Sequence, residues 1–264
     1  MGSHWNHPYQ TRVLRSESFR ATYVTKSGKT ETFRFSNSIT TQFENGLQNP
    51  DNDYQLEVPE DHEDRDDFYI VTDPNGVKEH FNVRGQILFR EDPNGKRTTF
   101  EYNDFFGLTY LDTVTDHYGH SIKFDYELIP LDGFNSIDDY TAETSVGNNG
   151  GGTRTFLVET PYQRLRKVTD PFGAEYRYQY DDNHNLVEVI YPDTTPDDSD
   201  NPRKTYHYEN ENFPNHLTGI TDENGERYAN FSYDEDGRAI VSELGVTTNQ
   251  VGQEKIELDY QGTN

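Results

Sequence analysis

The sequence predicts an all-β protein, built from antiparallel β-hairpin repeats laid side by side in one elongated array. Three observations predict it. A turn of the form Asp-x-x-Gly recurs, at Asp73 with Gly76, Asp92 with Gly95, Asp116 with Gly119, Asp170 with Gly173 and Asp222 with Gly225. After each glycine, polar and apolar residues alternate over five to seven positions, which is the period of a half-buried strand. No segment of useful length carries the i, i+3, i+4, i+7 apolar spacing of an amphipathic helix.

Each element follows from local chemistry. Residues 1–10 read as a disordered leader with no apolar core of a secretory signal. Residues 11–70 form an N-terminal β-hairpin region. In it, Phe19-Arg-Ala-Thr-Tyr-Val24 and Thr30-Glu-Thr-Phe-Arg-Phe35 flank a turn at Lys26-Ser-Gly28. Residues 71–264 hold the repeats. Aspartate favours the first position of a turn, proline presets φ at the second and glycine supplies positive φ afterwards. The opening strand then runs to a tyrosine, at Tyr102, Tyr126, Tyr180 and Tyr233. In Glu175-Tyr-Arg-Tyr-Gln-Tyr180, Tyr176, Tyr178 and Tyr180 share one face and the polar residues the other. Tyr208 and Phe231 fall in the same alternation, and all these rings are expected to form the aromatic core of the strands. A tight polar turn follows, as in Tyr233-Asp234-Glu-Asp-Gly237. A second strand rich in β-branched residues closes the unit, as in Leu165-Arg-Lys-Val-Thr-Asp170 and Leu217-Thr-Gly-Ile-Thr-Asp222. Asp193 reads as a sixth, looser opening turn. Loop insertions are expected near 128–162, with Gly147 to Gly152 as a flexible tip, and near 194–202. The last segment, Ile256-Glu-Leu-Asp-Tyr260, reads as the opening strand of a further unit, so the chain ends mid-repeat.

Composition narrows the function. The chain has 264 residues, 23 Lys and Arg against 48 Asp and Glu, and a formal net charge of −25. Such a charge repels phosphate backbones and argues against nucleic acid. No apolar run reaches the roughly 18 residues of a membrane span. With no cysteine, disulfide frameworks, thiolate metal sites and cysteine nucleophiles are excluded. Nineteen Tyr, 16 Phe and 1 Trp supply the apolar area that an acidic, disordered chain lacks.

No residue pattern demands an enzyme or a cofactor. Forty-eight acids make neighbouring carboxylates inevitable, and none stands out as a glycosidase pair. His117 and His120 flank a turn as His-x-x-His, but no third ligand accompanies them. Asp181-Asp-Asn-His-Asn185 opens like an EF-hand loop, yet Leu186 stands at the position of the invariant glycine and Pro192 at that of the bidentate glutamate. The acidic stretch at 60–67 reads as a solvated loop with at most opportunistic calcium binding. No Gly-x-Ser-x-Gly elbow or phosphate loop occurs.

The ordered recurrence of both turns resembles the RHS/YD-repeat family. It is strongest from Tyr206-His-Tyr-Glu-Asn210 through Leu217-Thr-Gly-Ile-Thr-Asp-Glu-Asn-Gly225 to Tyr233-Asp-Glu-Asp-Gly-Arg238, which is similar to bacterial Rhs proteins. The resemblance runs from about Phe19 to Tyr260. It implies a curved, spiralling sheet that is part of a hollow shell. It also implies a non-enzymatic structural role in an Rhs-type polymorphic toxin, enclosing a C-terminal toxic domain in cis. Its partners would be the rest of the shell, that toxin domain and a secretion-system component. Location would be secreted or at the cell surface of a bacterium, by specialised export. Two departures stand out: related shells have many more repeats, and the two Asp-Pro-x-Gly motifs here lie 15 residues apart, where the family's self-cleavage segment has 18. The alternative reading is a secreted or surface carbohydrate-binding module, with polysaccharide stacked on exposed tyrosine rows. Strand edges left open at the ends of the array are expected to self-associate.

Overall fold

The structure, a computed structural model, describes residues 11–16, 20–34, 47–48, 54–59, 66–105, 108–129, 141–145, 153–157, 162–195, 199–245 and 254–260. The expected leader at 1–10 and the glycine tip at 147–152 lie outside the described residues. Among the described residues every regular element is a strand, so the chain is all-β. The described residues divide into two compact units, one running to Lys123 and the other from Phe124 onward.

In the first unit, β1 (Arg12–Ser16), β2 (Arg20–Val24) and β3 (Thr30–Arg34) form a three-stranded antiparallel sheet in that order. The segment read as a hairpin thus gains a third strand. A second antiparallel ladder follows through β4 (Leu47–Gln48), β5 (Gln55–Glu57), β6 (Tyr69–Thr72), β7 (Lys78–Phe81), β8 (Ile87–Glu91), β9 (Arg97–Phe105), β10 (Leu108–Thr115) and the start of β11 (Ser121–Ile129). Register places Leu56, Val71, Glu79, Arg90 and Thr98 in one row across this ladder. The three-stranded sheet lies over that face. Val13 N–H donates to Gly85 O at 3.0 Å, and the Tyr23 ring meets Phe81 edge-on at 6.1 Å. Between the layers Val13, Ala21, Tyr23 and Phe33 are buried with Leu56, Tyr69, Val71, Phe81 and Ile87, and Phe81 and Ile87 are 0% exposed. Full burial of a side chain of this size stabilises by roughly 1.5–3 kcal/mol, so this core anchors the unit.

The second unit continues from β11 to β14 (Tyr162–Thr169), β15 (Glu175–Tyr180), β16 (Leu186–Ile190), β17 (Arg203–His207), β18 (Gly219–Thr221), β19 (Arg227–Tyr233), β20 (Ala239–Leu244) and β21 (Glu254–Glu257). The insertion expected near 128–162 carries its own two-stranded sheet, β12 (Thr141–Ser145) with β13 (Thr153–Leu157). Every pairing along the ladder is between sequence neighbours, save that β11 neighbours β14. The ladder is not closed: among the described residues β4 and β21 each have one neighbour.

Candidate functional site

One turn geometry builds both units. In nine places among the described residues a backbone N–H at the first turn residue donates to the carbonyl four residues on, while the N–H three residues on donates back to the first carbonyl. This is a type I turn closed by a residue in the left-handed region, the form favoured by three-residue hairpin loops. The nine begin at Thr25, Asp73, Asn82, Asp92, Asp116, Asp170, Asp181, Asp222 and Asp234. The left-handed residue is glycine in eight and His184, at φ 64°, in the ninth. In the Asp-x-x-Gly copies the aspartate also accepts two backbone N–H bonds, as Asp73 Oδ1 does from Asn75 at 2.8 Å and Val77 at 2.9 Å. The N–H groups of Lys96 and Glu226 hold Asp92 and Asp222 below the usual carboxylate range.

Gly76, Gly95, Gly119, Gly173, Gly225 and Gly237 all have positive φ in these turns. Gly173 shows the pure case, because a Cβ there would meet no atom within 4 Å and only its φ of 88° requires glycine. Gly85 adds close approach: a Cβ there would lie 1.7 Å from Val13 O. Asp193 does not belong to the set. Tyr191 N–H donates to Pro202 O at 2.9 Å across a long loop, and Asp193 accepts from Thr195 N–H at 2.8 Å and from Thr195 Oγ1 at 3.0 Å. A loop of that length cannot close the three-residue turn, and residues 196–198 of it lie outside the described residues.

The two faces of the second unit differ in chemistry. On one, Val168 pairs Tyr176, Tyr178 pairs Val189, which pairs Lys204, and Tyr206 pairs Ile220, which pairs Ala229. Phe231 follows Ala229 on that face by alternation. Tyr176 meets Tyr191 edge-on at 6.0 Å. Tyr176, Tyr178, Tyr180, Tyr206, Tyr208 and Phe231 are half-buried, as are Tyr102 and Tyr126 earlier in the ladder. Tyr180 OH donates to Leu165 O at 2.7 Å and Tyr233 OH to Leu217 O at 2.8 Å. These are the tyrosines that precede the Tyr-Asp turns, and each ties its strand to the one before. Burial pushes Tyr178 and Tyr180 up and Tyr206 up to about 12.

The opposite face is a lattice of ion pairs. Lys167 Nζ reaches Glu175 at 2.7 Å and Asp125 at 3.3 Å. Arg164 pairs with Glu127, and Arg203 with Glu188 at 3.5 Å. Arg227 grips Glu209 with two nitrogens at 2.8 and 2.9 Å. Those bonds hold the Glu209 carboxyl down to about 2. Partly exposed pairs of this kind contribute roughly 0–1 kcal/mol each and mainly fix register.

Among the buried polar side chains of the first unit, Glu79 and His80 each sit in a cluster. Tyr23 OH donates to Glu79 Oε2 at 2.8 Å, and Arg90 Nε donates to Glu79 Oε1 at 2.8 Å, beside a cavity of about 150 Å³ lined also by Tyr54 and Asp73. His80 Nδ1 lies 2.6 Å from Asp67 Oδ2, with the imidazole stacked on Phe89 at 4.0 Å. In both, the polar atoms face one another inside the fold. The Asp67 end of the acidic loop is therefore buried in a pair, while 60–65 lie outside the described residues. His117 and His120 sit in the turn at Asp116, where His120 Nδ1 lies 3.1 Å from Asp116 Oδ2. Among the described residues no three His, Asp or Glu side chains converge as metal ligands, and no helix is long and apolar enough to cross a membrane.

Sequence reasoning missed the turn at Asn82, the pairing partners on the charged face and the Tyr23–Glu79–Arg90 group. Asn82 was legible in principle, since asparagine replaces aspartate as the cap and Gly85 keeps its place nine residues after Gly76.

The RHS repeat family matches residues 161–196, a segment that holds β14, β15 and β16. No curated protein matches the sequence. Among solved structures, TcdB2-TccC3 is similar at 13% identity over 90% of this chain and 16% of that one, with a TM-score of 0.21. TcdB2-TccC3 without its hypervariable C-terminal region gives 14% identity over 90% and 15%, TM-score 0.21. The Photorhabdus luminescens Tc holotoxin pore gives 12% over 90% and 15%, TM-score 0.21. The chain thus spans about one sixth of the length of these structures.

Proposed function

We propose that this chain is a wall segment of an RHS-type shell, structural and not catalytic, that helps to enclose a toxic domain carried in cis. The observation that carries the reading is the hydrogen-bonded ladder of repeated hairpins, one segment of which, residues 161–196, matches the RHS repeat family. A continuous ladder is a barrier by construction, because its backbone groups are consumed between neighbours and its two faces are chemically distinct. The aromatic face suits packing against further protein, and the charged face suits water. Export to the cell exterior and engagement of a secretion component belong to the same proposal.

Electron microscopy of the polypeptide translated from the whole gene tests it. The expected result is a hollow particle with the Tyr176–Tyr178–Tyr206 face lining the interior. A particle without internal volume, or one with this face outside, overturns the reading.

The half-exposure of Tyr176, Tyr178 and Tyr206 favours one second reading, a polysaccharide platform in which sugar rings stack on the phenols. Glycan-array binding that Tyr178→Ala abolishes is its expected signature. Silence on the array, with the hollow particle present, leaves the shell alone.

A further inference from the structure

We propose that the cavity between the three-stranded sheet and the ladder of the first unit is a binding site for a small zwitterion, an α-amino acid with a short side chain. The cavity is lined from the turn between β2 and β3, from the turn between β6 and β7, and from β6, β7 and β8. Each of β6, β7 and β8 has two neighbours in the ladder, so the site does not depend on an open sheet edge. Its floor is buried and already satisfied. Tyr23, Val71 and Glu79 are all buried, and Glu79 accepts from Tyr23 OH at 2.8 Å and from Arg90 Nε at 2.8 Å. The volume is about 150 Å³. A protein cavity of that size takes benzene, so its occupant has about six to eight non-hydrogen atoms.

Charge selects the ligand. Groups of both signs stand on the rim, and they do not pair with one another. Asp73 Oδ1 holds the turn, accepting from the N–H groups of Asn75 and Val77, while Asp73 Oδ2 accepts no hydrogen bond among the described residues. Lys26 is exposed at the mouth and has no ion-pair partner among the described residues. Arg90 reaches Glu79 through Nε and Nη2, which leaves Nη1 for a second acceptor. A carboxylate suits Lys26 Nζ and Arg90 Nη1, because hydrogen bonds between ionised groups are the strong ones. An ammonium suits Asp73 Oδ2. A short aliphatic side chain suits Val71 and Val77, which also line the cavity. A ligand of one sign leaves half of the rim without a partner, and a neutral ligand leaves all of it. The Tyr54 ring stands 5.7 Å from that of Tyr23, tilted at 46°. Burial, and after it the Glu79 carboxylate, pushes the Tyr23 hydroxyl up, and burial followed by Asp73 does the same to Tyr54. Both phenols therefore keep their protons at neutral pH, so neither adds a charge to compete with the ligand's carboxylate.

Amide-detected NMR titration of the whole isotope-labelled chain with glycine, L-alanine, L-serine and L-valine tests the proposal. Saturable shifts of the Val71, Val77 and Glu79 amides are expected in the millimolar range. Two probes of the size of L-alanine dissect the charges. L-Alanine amide lacks the carboxylate and L-lactate lacks the ammonium, and each should bind about tenfold more weakly than L-alanine. Asp73→Asn removes a charge and keeps the turn, since Asn82 Oδ1 accepts the same two backbone bonds in its own turn. It should weaken L-alanine about tenfold and leave L-lactate unchanged. Lys26→Met keeps the aliphatic stem, and should weaken L-alanine while leaving L-alanine amide unchanged. The probe that each variant still binds shows that the variant is folded. The proposal is overturned if none of the four amino acids gives a saturable shift, or if the shifts lie away from the cavity. It is equally overturned if L-alanine amide and L-lactate match L-alanine, or if both variants bind L-alanine as the unaltered chain does.

Discussion

Residues 11–105 and residues 162–260 use the same hairpin and the same turn, yet they bury their rings to different depths. In the first region a separate three-stranded sheet covers one face, and Tyr69, Phe81 and Ile87 reach 0–1% exposure. In the second, Tyr176, Tyr178 and Tyr206 on the aromatic face stop halfway. The lesson is that a hairpin repeat supplies order through its backbone, while the depth of the core depends on what is laid on top. Polar groups follow the same division. Under the cover, Glu79 is held by Tyr23 and Arg90 at buried positions. On the open ladder, Glu209 and Arg227 meet in partial contact with water.

The sharpest way to break this contrast is to delete a ring in each region. Phe81→Ala should cost about 3–5 kcal/mol, and Tyr178→Ala about 1–2 kcal/mol, in proportion to the smaller area removed from water. Urea titrations of the two variants measure this, and equal losses would mean that the second region carries an equally deep core.

Glycine substitutions come next. Gly85→Ala combines a left-handed backbone with a clash against Val13 O, and should cost about 2 kcal/mol or more. It should also abolish protection of the Val13 amide in hydrogen exchange, as β1 lifts from the turn. Gly173→Ala has only the backbone term, about 1 kcal/mol, and should leave amide exchange in the first region untouched.

Alkaline pH sharpens the comparison from the other side. Burial raises Tyr178, Tyr180, Tyr206 and Tyr233, with Tyr206 at about 12. Unfolded tyrosine ionises near 10. Stabilisation from these groups is therefore complete below pH 10 and is lost as pH rises toward 12. Tyrosinate absorbance should rise together with loss of β-sheet circular dichroism over that interval; ionisation at pH 10 without unfolding would contradict the burial.

The smallest expected effect is at Glu209. Its carboxyl is held down to about 2 by Arg227, so its stabilisation is present above about pH 4.5 and disappears as pH falls through 2. Glu209→Gln should lower the melting temperature slightly at pH 7 and leave it unchanged near pH 2.

Much of the ladder is legible in the sequence because its signals are local. Asp92, Pro93 and Gly95 specify a turn with no help from elsewhere, and the alternation through Tyr176, Tyr178 and Tyr180 specifies a strand and its face. The turn at 181–184 shows the limit, since His184 fills a position where glycine is the rule. The depth of burial was not legible at all. Nothing in Tyr23 announces a reach to Glu79, 56 residues away, and nothing in Tyr178 announces that it stays half-buried. Nor does any spacing disclose that Lys167 serves both Asp125 and Glu175, because such choices depend on which strands become neighbours across an insertion.

That neighbour order has a consequence for how the chain is made. From β15 onward every strand hydrogen-bonds to the one synthesised immediately before it, so each rung finds its template already waiting as it leaves the ribosome. One step breaks the rhythm, where β14 must return to β11 across residues 130–161. The entropic cost of that return grows only logarithmically with length, and β12 with β13 takes up slack along the way. Growth by single rungs keeps contacts short in sequence, which favours rapid, vectorial folding.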